Sequence, residues 1–368
     1  MADVRAPHGG AVHPPAPATG NGAGDGDRID VYLAGTVFLD LVFTGLEGSP
    51  SPGTECYATG LGASPGGVAT VAVALARLGL RVRLAALFGD DMAGDYLWHT
   101  LAEVEAVDLR ASRRVPGWST PVTVSLAYHQ DRSMVTHSAT PPGGPPDGEH
   151  LPVAARGCFA YLGPRGRPWL GRARELGIPV FADVGWDGSG EWPATVLQGL
   201  APADVFLPNA VEAMAYTRTT SARAALAGLS RRLTLAVVKC GPLGAIATEA
   251  GGPVLHEPAL VVEAADPTGA GDVFDAAFIY ASLAGWPLQR RLRFAVLCSG
   301  LSVRHHGGAM SAPTWADIAA FHERVLADGA DGEVRRWAFL AECLPGGDAG
   351  GRPGPVPVRH RFAGAPRE

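Results

Sequence analysis

Short apolar runs alternate with amphipathic stretches along most of the chain, and this alternation limits its possible folds more than any other feature. Six of the runs lack the polar-apolar alternation of a half-exposed strand, which is typical of strands buried on both faces. They occupy residues 29–34, 83–88, 159–162, 179–182, 205–207 and 235–238. Five stretches have the spacing of helices, at 69–78, 97–104, 168–176, 221–229 and 273–284. Strand and helix in turn predict an α/β fold, with a parallel sheet between two layers of helices.

The segment at 120–138 has a different pattern, which predicts an antiparallel hairpin. Val122, Val124 and Leu126 alternate with small or polar residues, and residues 130–132 provide a polar turn. We therefore expect one solvated face. A hairpin inserted in an α/β chain indicates a small lid or dimerisation sheet that stands off the main sheet.

Glycine and proline are concentrated at the two ends of the 368-residue chain. Residues 1–28 contain six Gly and four Pro, and residues 345–368 contain six Gly and five Pro. Both segments have too few large apolar side chains to offset the entropy lost on ordering, so we expect disordered extensions. A third such stretch, at 141–148, predicts a surface linker. The folded domain is accordingly expected to span residues 29–344.

Charge and cysteine content exclude several classes of protein. The formal charge is −6, from 30 basic and 36 acidic side chains, so no basic surface for nucleic acid is indicated. No apolar run is long enough for a membrane span, and the first residues lack the pattern of a signal peptide. The five cysteines are odd in number and include no C-x-x-C pair. They predict reduced thiols in a cytoplasmic protein rather than disulfides or a zinc site.

Lysine is nearly absent, because Lys239 is the only lysine among the 30 basic residues. A Walker A loop requires a lysine followed by Ser or Thr, and here Cys240 follows. The H-R-D and D-F-G segments of protein kinases are also missing from the sequence. An anion site in this chain is therefore expected to use backbone groups.

A glycine-rich segment, Asp266-Pro-Thr-Gly-Ala-Gly-Asp272, leads directly into an apolar helical stretch. Free backbone N–H groups in the first turn of such a helix point into the turn and, with the helix dipole, form an anion site. Asp272 lies at the mouth of this site, where its carboxylate can take a proton from a hydroxyl beside a bound phosphate. An ordinary turn with an aspartate cap is the alternative.

Two further features extend this arrangement. Gly66 and Gly67 precede the helical stretch at 69–78, and paired glycines let a ligand approach the backbone closely. Asp40 follows the first predicted strand, at the sheet edge where ligands bind in α/β folds. Its carboxylate can accept hydrogen bonds from a polyol.

Together these motifs resemble those of the ribokinase-like carbohydrate kinases, the PfkB family, over roughly residues 29–325. The strongest agreement lies at 266–280, the second signature of that family. Further matches are Gly66-Gly67 with 74–79, Gly89-Asp90-Asp91 with Gly94, Asn209 with Glu212, and 237–241 with Gly244. The resemblance implies a ribokinase-like three-layer α/β/α sandwich with a mostly parallel central sheet and a small β-sheet lid. The lid strands are expected within 41–64 and 118–138.

The resemblance also implies a phosphotransferase that moves the γ-phosphoryl group of Mg-ATP to a hydroxyl of a sugar. Asp272 matches the general base of the family, and Gly269, Ala270 and Gly271 match its anion hole. The positions that match sugar contacts are Asp40, Gly66, Gly67 and Thr70. The positions that match the nucleotide site are Asn209, Lys239, Gly241, Gly244 and Thr268.

Metal sites are implied by the same resemblance. Asn209 and Glu212 match an N-x-x-E element that orients Mg²⁺, through waters because Mg²⁺ dehydrates reluctantly. The same two residues fit a helix capping box, and the two roles are compatible. Asp266 and Thr268 match a loop that binds a monovalent cation, such as K⁺, in some members.

Three residues depart from the family pattern or have two interpretations. Thr70 replaces the usual asparagine, and it lacks the paired donor and acceptor of an amide. Arg165 stands where some ribokinases have an acidic substrate contact, and it can meet a substrate carboxylate or phosphate or face solvent. Lys239 can contact a phosphate or only cover apolar surface with its stem.

A hydrolase motif is one alternative to a sugar kinase. Residues 62–66 match the G-x-S-x-G motif of hydrolases, but Pro65 lacks the N–H that the oxyanion hole requires. A nucleoside kinase of the same fold and a non-catalytic sugar- or nucleotide-binding regulator are the alternatives, and Asp272 argues against the regulator.

His305 and His306 are expected in a loop near the nucleotide. A homodimer through the lid is the one protein partner expected, because lid sheets leave edges that a second subunit can cover.

Overall fold

The computed structural model describes residues 28–128, 131–142, 151, 155–163 and 167–344. Most of the predicted extensions at 1–28 and 345–368 lies outside the described residues, as does most of the predicted linker at 141–148. Arg165 also lies outside them.

Fourteen strands and eleven α-helices are assigned within the described residues. The strands are β1 (Val31–Ala34), β2 (Val37–Thr44), β3 (Gly60–Gly67), β4 (Val82–Ala85), β5 (Leu87–Gly89), β6 (Arg113–Val115), β7 (Val122–Tyr128), β8 (Asp131–His137), β9 (Gly157–Leu162), β10 (Val180–Val184), β11 (Val205–Phe206), β12 (Leu235–Lys239), β13 (Ala245–Glu249) and β14 (Leu255–Glu257). The helices are α1 (Val68–Arg77), α2 (Met92–His99), α3 (Pro168–Glu175), α4 (Thr195–Gln198), α5 (Ala210–Thr217), α6 (Ala222–Leu229), α7 (Ala270–Leu283), α8 (Leu288–Ser302), α9 (Trp315–Asp328), α10 (Asp331–Trp337) and α11 (Leu340–Cys343).

The main sheet has eight strands in the order β14-β13-β12-β11-β10-β9-β1-β4. Its six strands from β12 to β4 are parallel, and β13 and β14 extend one edge in antiparallel fashion. In β1, Val31 and Leu33 join the core beneath α1, α7 and α8, whereas Tyr32 and Ala34 join the core beneath α3, α5 and α6. Both faces of this strand are therefore buried, which explains its unbroken apolar sequence. The predicted three-layer α/β/α fold is confirmed.

Several predicted elements have different boundaries in the structure. The strands expected within 41–64 extend beyond that range, because β2 begins at Val37 and β3 ends at Gly67. The run at 83–88 is not one strand, because β4 ends at Ala85 and β5 pairs separately with β6. Ala86 lies between them, and its N–H donates to the Ser112 hydroxyl at 3.0 Å instead of to a strand of the main sheet. The helix expected at 97–104 begins earlier, at Met92, because Asp91 caps it by accepting from Gly94 N at 2.8 Å.

A second, smaller sheet has the strand order β3-β2-β7-β8. The strands β7 and β8 form the predicted antiparallel hairpin, with Val124 opposite Val135. One face of β7 is covered and the other is more exposed, as expected, but the covered face is the polar one, because Thr123 and Ser125 are buried while Val124 is only half-buried. The cover that each face receives, and not the polarity of its side chains, decides which face is buried in this sheet.

Among the described residues, no helix is both long enough and apolar enough to cross a membrane.

Candidate active site

A cleft of about 1330 Å³ runs along the carboxyl ends of the central strands. The ends of β1 and β9 line one half of it, and the second sheet adds Phe38 and Gly67 there. The other half is lined by the turn after β12 and by residues 258–262. The first turn of α7 lies between these halves. This is the edge of a parallel α/β sheet at which ligands bind.

The glycine-rich turn places the start of α7 in the cleft, as the sequence predicts. Gly269 is the residue before the helix and has a φ of +74°, a left-handed conformation that favours glycine. No side chain among the described residues caps this helix. Gly269, Ala270, Gly271 and Asp272 all line the cleft. Ala270 N donates to the Pro267 carbonyl at 3.3 Å, and the dipole of this helix N-terminus favours an anion in the cleft.

Asp272 lies in this first turn and is held by a tyrosine from the central sheet. The Tyr161 hydroxyl donates to Oδ1 of Asp272 at 2.5 Å. Tyr161 belongs to β9, and its ring packs edge-on against Phe159 with centroids 5.1 Å apart. Burial, and then the charge of Asp272, raises the pKa of the Tyr161 hydroxyl well above its usual value.

Lys239 lines the cleft at the end of β12, but two carboxylates bind its ammonium group. Its Nζ lies 2.8 Å from Oδ2 of Asp183 on β10 and 2.9 Å from Oδ1 of Asp275 on α7. It also donates to the Gly271 carbonyl at 3.4 Å. Burial acts to lower the pKa of Lys239, yet the charges of Asp183 and Asp275 outweigh it and raise that pKa above its usual value.

Asn209 and Glu212 open α5 directly after β11 and form a capping box. The Asn209 side chain accepts from Glu212 N at 3.0 Å, and Oε2 of Glu212 accepts from Asn209 N at 3.0 Å. Both residues line the cleft. Burial, and then the charge of Asp183, raises the pKa of Glu212 to about 7. The capping box uses one carboxylate oxygen, so a cation or its bound water would contact Oε1.

The residues expected to contact an acceptor cluster where β1, β2 and β3 meet. The Asp40 carboxylate lies against Gly66, where a Cβ would come within 2.1 Å of Oδ2. Gly67 has a φ of +63°, and a Cβ there would lie 2.6 Å from the Thr36 carbonyl. Thr70 is buried, and its hydroxyl donates to the Pro65 carbonyl at 3.3 Å. Gly67 lines the cleft, whereas Asp40, Gly66 and Thr70 do not. The Thr70 methyl lies against the anion turn, 3.1 Å from where a Cβ of Gly269 would be.

The turn between β12 and β13 borders the other half of the cleft. Gly241 and Gly244 both line it and both have positive φ. A Cβ at Gly244 would come within 2.0 Å of the Glu257 carbonyl, so no side chain fits there. The backbone can therefore pass close to the segment that follows β14.

Asp266 and Thr268 lie under the anion turn and are both buried. The Asp266 carboxylate accepts from Thr268 N at 2.9 Å and from Gly307 N at 3.3 Å. The Thr268 hydroxyl has no hydrogen-bond partner among the described residues. No group of three or more acidic, His or Cys side chains that could hold a metal ion occurs in the part of the chain that the structure describes.

Two motifs outside this cluster do not contribute chemistry. Ser64 of the hydrolase-like motif is fully buried in β3 and donates to the Pro65 carbonyl at 3.2 Å, so it is not an exposed nucleophile. His305 and His306 are exposed and do not line the cleft.

A comparison with known families identifies the chain. The profile of the family described as pfkB family carbohydrate kinase matches residues 34–140 and 170–315. The chain belongs to the pfkB family of carbohydrate kinases. The match covers more than half of the sequence, including the anion turn and Asp272.

Individual pfkB-family relatives agree with this assignment. An ATP-dependent ribose-1-phosphate kinase of Halopiger xanaduensis is 30% identical over 262 residues, which cover 70% of this chain and 85% of that protein. The bifunctional protein HldE of Azotobacter vinelandii is 28% identical over 298 residues, and the match covers 77% of this chain. It spans only 62% of the length of that protein.

Solved structures share the ribokinase fold with this pfkB-family chain. Ribokinase of Arabidopsis thaliana, complexed with ribose and ATP, superimposes with a TM-score of 0.65 at 21% identity and covers 80% of this chain and 98% of its own. Fructokinase of Xylella fastidiosa with bound ATP has a TM-score of 0.66 at 22% identity, with coverages of 80% and 98%.

Sequence reasoning missed three residues in this pfkB-family site. The sequence pattern predicts only that Tyr161 belongs to a buried strand. Asp183 lies one residue beyond the strand predicted at 179–182. Asp275 lies one helical turn after Asp272. In an otherwise apolar helix, a polar residue at that spacing indicates that it lies on the same face as Asp272 and belongs to the site. Asp183 and Asp275 share one partner, Lys239, which is 56 and 36 positions away in the sequence, and local sequence does not reveal such a contact.

Proposed function

We propose that this chain is a Mg-ATP-dependent kinase that phosphorylates a hydroxyl group of a sugar. The observation that carries the proposal is the position of the Asp272 carboxylate in the first turn of a helix whose N-terminus is uncapped. The proposed base and the anion site thus lie next to each other in the cleft. Family membership independently favours a carbohydrate acceptor.

In the proposed reaction, Asp272 accepts the proton of the acceptor hydroxyl as general base. The acceptor oxygen forms a bond to the γ-phosphorus while the bond to the bridging oxygen of ADP breaks, so phosphorylated sugar and ADP are the products. The N–H groups of Gly269, Ala270 and Gly271 hold the charge of the transferring phosphoryl group. Positioning and electrostatic stabilisation supply most of the catalysis in such transfers.

The nucleotide is proposed to lie in the half of the cleft bordered by Gly241 and Gly244, next to Asn209, Lys239 and Thr268. Related proteins were solved with bound ATP, and one of them, a ribokinase II from E. coli, was solved with both ATP and Mg²⁺. Mg²⁺ neutralises phosphate charge when it is bound. Glu212 and Asn209 would hold it through waters, because Mg²⁺ dehydrates reluctantly and the capping box already uses Oε2 of Glu212 and the single amide oxygen of Asn209.

A monovalent cation, K⁺, is proposed at the Asp266 loop. The support is the buried Thr268 hydroxyl, which lacks a partner among the described residues and lies beside the Asp266 carboxylate. Buried polar atoms ordinarily have a partner, so an ion or a water would satisfy this oxygen.

The acceptor is proposed to lie over Asp40, Gly66 and Gly67, with Thr70 shaping the floor from behind. A sugar is favoured over a nucleoside because one relative is named for ribose 1-phosphate and one structural neighbour was solved with ribose. The second sheet would close over this acceptor as a lid and exclude water.

The folded unit is proposed to be one domain, residues 29–344, that dimerises through the lid. By the strand register, Leu39, Leu41, Phe43, Leu61, Val124 and Val135 share one face of the second sheet, here called the outer face. Leu61 and Val135 are 51% and 66% exposed. A second copy of the same apolar face would cover them.

The activity is tested by measuring ATP consumption with Mg²⁺ over a panel of acceptors, with and without K⁺. The panel contains a pentose, a hexose, ribose 1-phosphate, a sugar acid and a nucleoside. We expect turnover of at least one sugar. We expect Asp272→Ala to lower kcat by about 10²- to 10⁴-fold while ATP binding is retained, because the general base is lost.

The alternatives predict other results. Turnover of the nucleoside alone indicates a nucleoside kinase, and no turnover of any acceptor indicates a regulator without catalysis. Near-normal kcat in Asp272→Ala would show that the general-base mechanism is wrong.

A further inference from the structure

Tyr161 lines the cleft and its side chain contacts the proposed base, and none of the motifs includes it. Its hydroxyl donates to Oδ1 of Asp272 at 2.5 Å, within the range of hydrogen bonds to a charged acceptor. The edge-on contact with Phe159 and the strand position on β9 fix the direction of the ring. The hydroxyl is therefore presented to Asp272 by a rigid element.

The surroundings of Tyr161 keep its hydroxyl protonated. Burial raises its pKa first, and the negative charges of Asp272, Asp183 and Asp275 raise it further. A phenol that stays neutral can act toward a carboxylate only as a donor. The short contact is thus a hydrogen bond that Tyr161 donates to the ionised form of Asp272.

The charged groups around Asp272 make such a donor useful. Asp183 on β10, Asp275 on α7 and Glu212 on α5 are nearby carboxyls, and Lys239 on β12 is paired with the first two. A second cation of the cleft, Arg167, donates through Nε to the Tyr161 carbonyl at 3.2 Å. Neighbouring negative charges favour the protonated form of a carboxyl, which cannot act as a base. A hydrogen bond to the ionised form opposes that tendency.

We propose that Tyr161 is a positioning residue that holds Oδ1 of Asp272, keeps this carboxylate ionised and directs Oδ2 to the acceptor hydroxyl. The inference rests on the proposed function, because it assigns a role relative to Asp272 as general base. The acceptor proton then passes to Oδ2, and the Tyr161 proton stays on the phenol throughout. No other bond is made or broken by Tyr161.

The test is the pH dependence of kcat for Tyr161→Phe at saturating Mg-ATP and acceptor. Loss of the donor raises the pKa of the base, so the acidic limb of the profile moves to higher pH by about one unit. We expect kcat to fall about tenfold on the acidic side and to recover in part as the pH rises. The KM for ATP stays unchanged, because Tyr161 belongs to the other half of the cleft.

Two further variants separate this role from packing. Tyr280→Phe removes a hydroxyl from the same helix as Asp272, in an aromatic cluster with Trp286 and Phe294, and serves as the matched control. Its acidic limb stays at the wild-type position. Replacement of Tyr161 by 3-fluorotyrosine strengthens the donor with little change in size, and we expect its limb to move to lower pH.

Superimposable acidic limbs for wild type, Tyr161→Phe and the fluorotyrosine protein would overturn the inference. If Tyr161→Phe does not fold, as judged by circular dichroism, the fluorotyrosine protein alone decides. Failure of the inference is distinguishable from failure of the proposed function. In the first case Asp272→Ala is inactive but the limbs coincide, and in the second Asp272→Ala remains active.

Discussion

At the scale of single residues, Lys239 is a buried cation that balances two buried carboxyls of the site. Lys239 is bound to Asp183 and Asp275, whose side chains are only 4% and 0% exposed. Burial raises the pKa of Asp275 well above its usual value, and the charge of Lys239 opposes that rise. Through these contacts Lys239 joins β10, β12 and the first turns of α7, the elements that carry the anion turn.

Lys239→Met tests this role through stability. The variant leaves two carboxylates buried without a cation, and we expect the free energy of unfolding to fall by about 3–5 kcal/mol in urea titrations. Arg172→Met is the control, because its pair with Glu175 is mostly exposed and contributes less than about 1 kcal/mol. Equal losses in the two variants would contradict the proposed importance of the buried cation.

Residues also differ in how well their roles could be predicted. Gly269 and Asp272 were predictable because their neighbours in sequence are also their neighbours in the site. Lys239 had two sequence interpretations, a phosphate contact or an apolar cover, and the structure shows a third arrangement. Its partners lie on a strand and a helix, 56 and 36 positions away, and no local pattern records such pairs.

At the scale of elements, α7 has a glycine just outside each end, and the two glycines have nearly the same φ angle. Gly269 precedes the helix with a φ of +74°, and Gly285 follows it with a φ of +73°. A Cβ at Gly269 would lie 3.1 Å from the Thr70 methyl, whereas a Cβ at Gly285 would meet nothing within 4 Å. The two positions therefore share a backbone constraint but differ in their surroundings.

This pair allows a matched test of the anion turn. We expect both Gly269→Ala and Gly285→Ala to lower the free energy of unfolding by about 1–2 kcal/mol, because alanine is strained at positive φ. Only Gly269→Ala should also lower kcat/KM for ATP, by roughly tenfold or more, since its methyl group displaces the turn. Steady-state kinetics and thermal unfolding measure the two effects, and equal kinetics in the two variants would argue against an anion site there.

The parallel strands of the main sheet were predicted well, because burial of both faces gives each of them an unbroken apolar sequence. The buried parallel strands were recognisable because both of their faces are covered, as in β1. The second sheet was harder, because its inner face carries Thr123 and Ser125 while its outer face carries Val124. A polarity pattern assumes that water covers the polar face, and that assumption fails where the polar face of a sheet is the one turned inward.

At the scale of the whole molecule, the outer face of the second sheet bears on assembly. Val135 and Leu61 are the most exposed of its apolar residues, and no described residue covers them. Contiguous exposed apolar surface of this kind is typical of an interface.

Val135→Asp tests dimerisation through this face. A buried unpaired charge is unfavourable, so we expect the dimer Kd to rise by at least a hundredfold and the sedimenting mass to halve. Leu326→Asp on α9 is the control, because Leu326 is similarly exposed at 57% but lies outside the second sheet. A wild-type protein that sediments as a monomer at high concentration would refute the dimer.

The position of Lys239 also determines how the chain responds to acylating reagents. It is the only lysine in 368 residues, and its side chain is 11% exposed with its ammonium held by two carboxylates. Acetylation or biotinylation requires a free, deprotonated amine, and the charges around Lys239 raise its pKa. The folded protein therefore presents no reactive lysine. If Lys239 becomes reactive, its contacts with Asp183 and Asp275 at the floor of the cleft have opened.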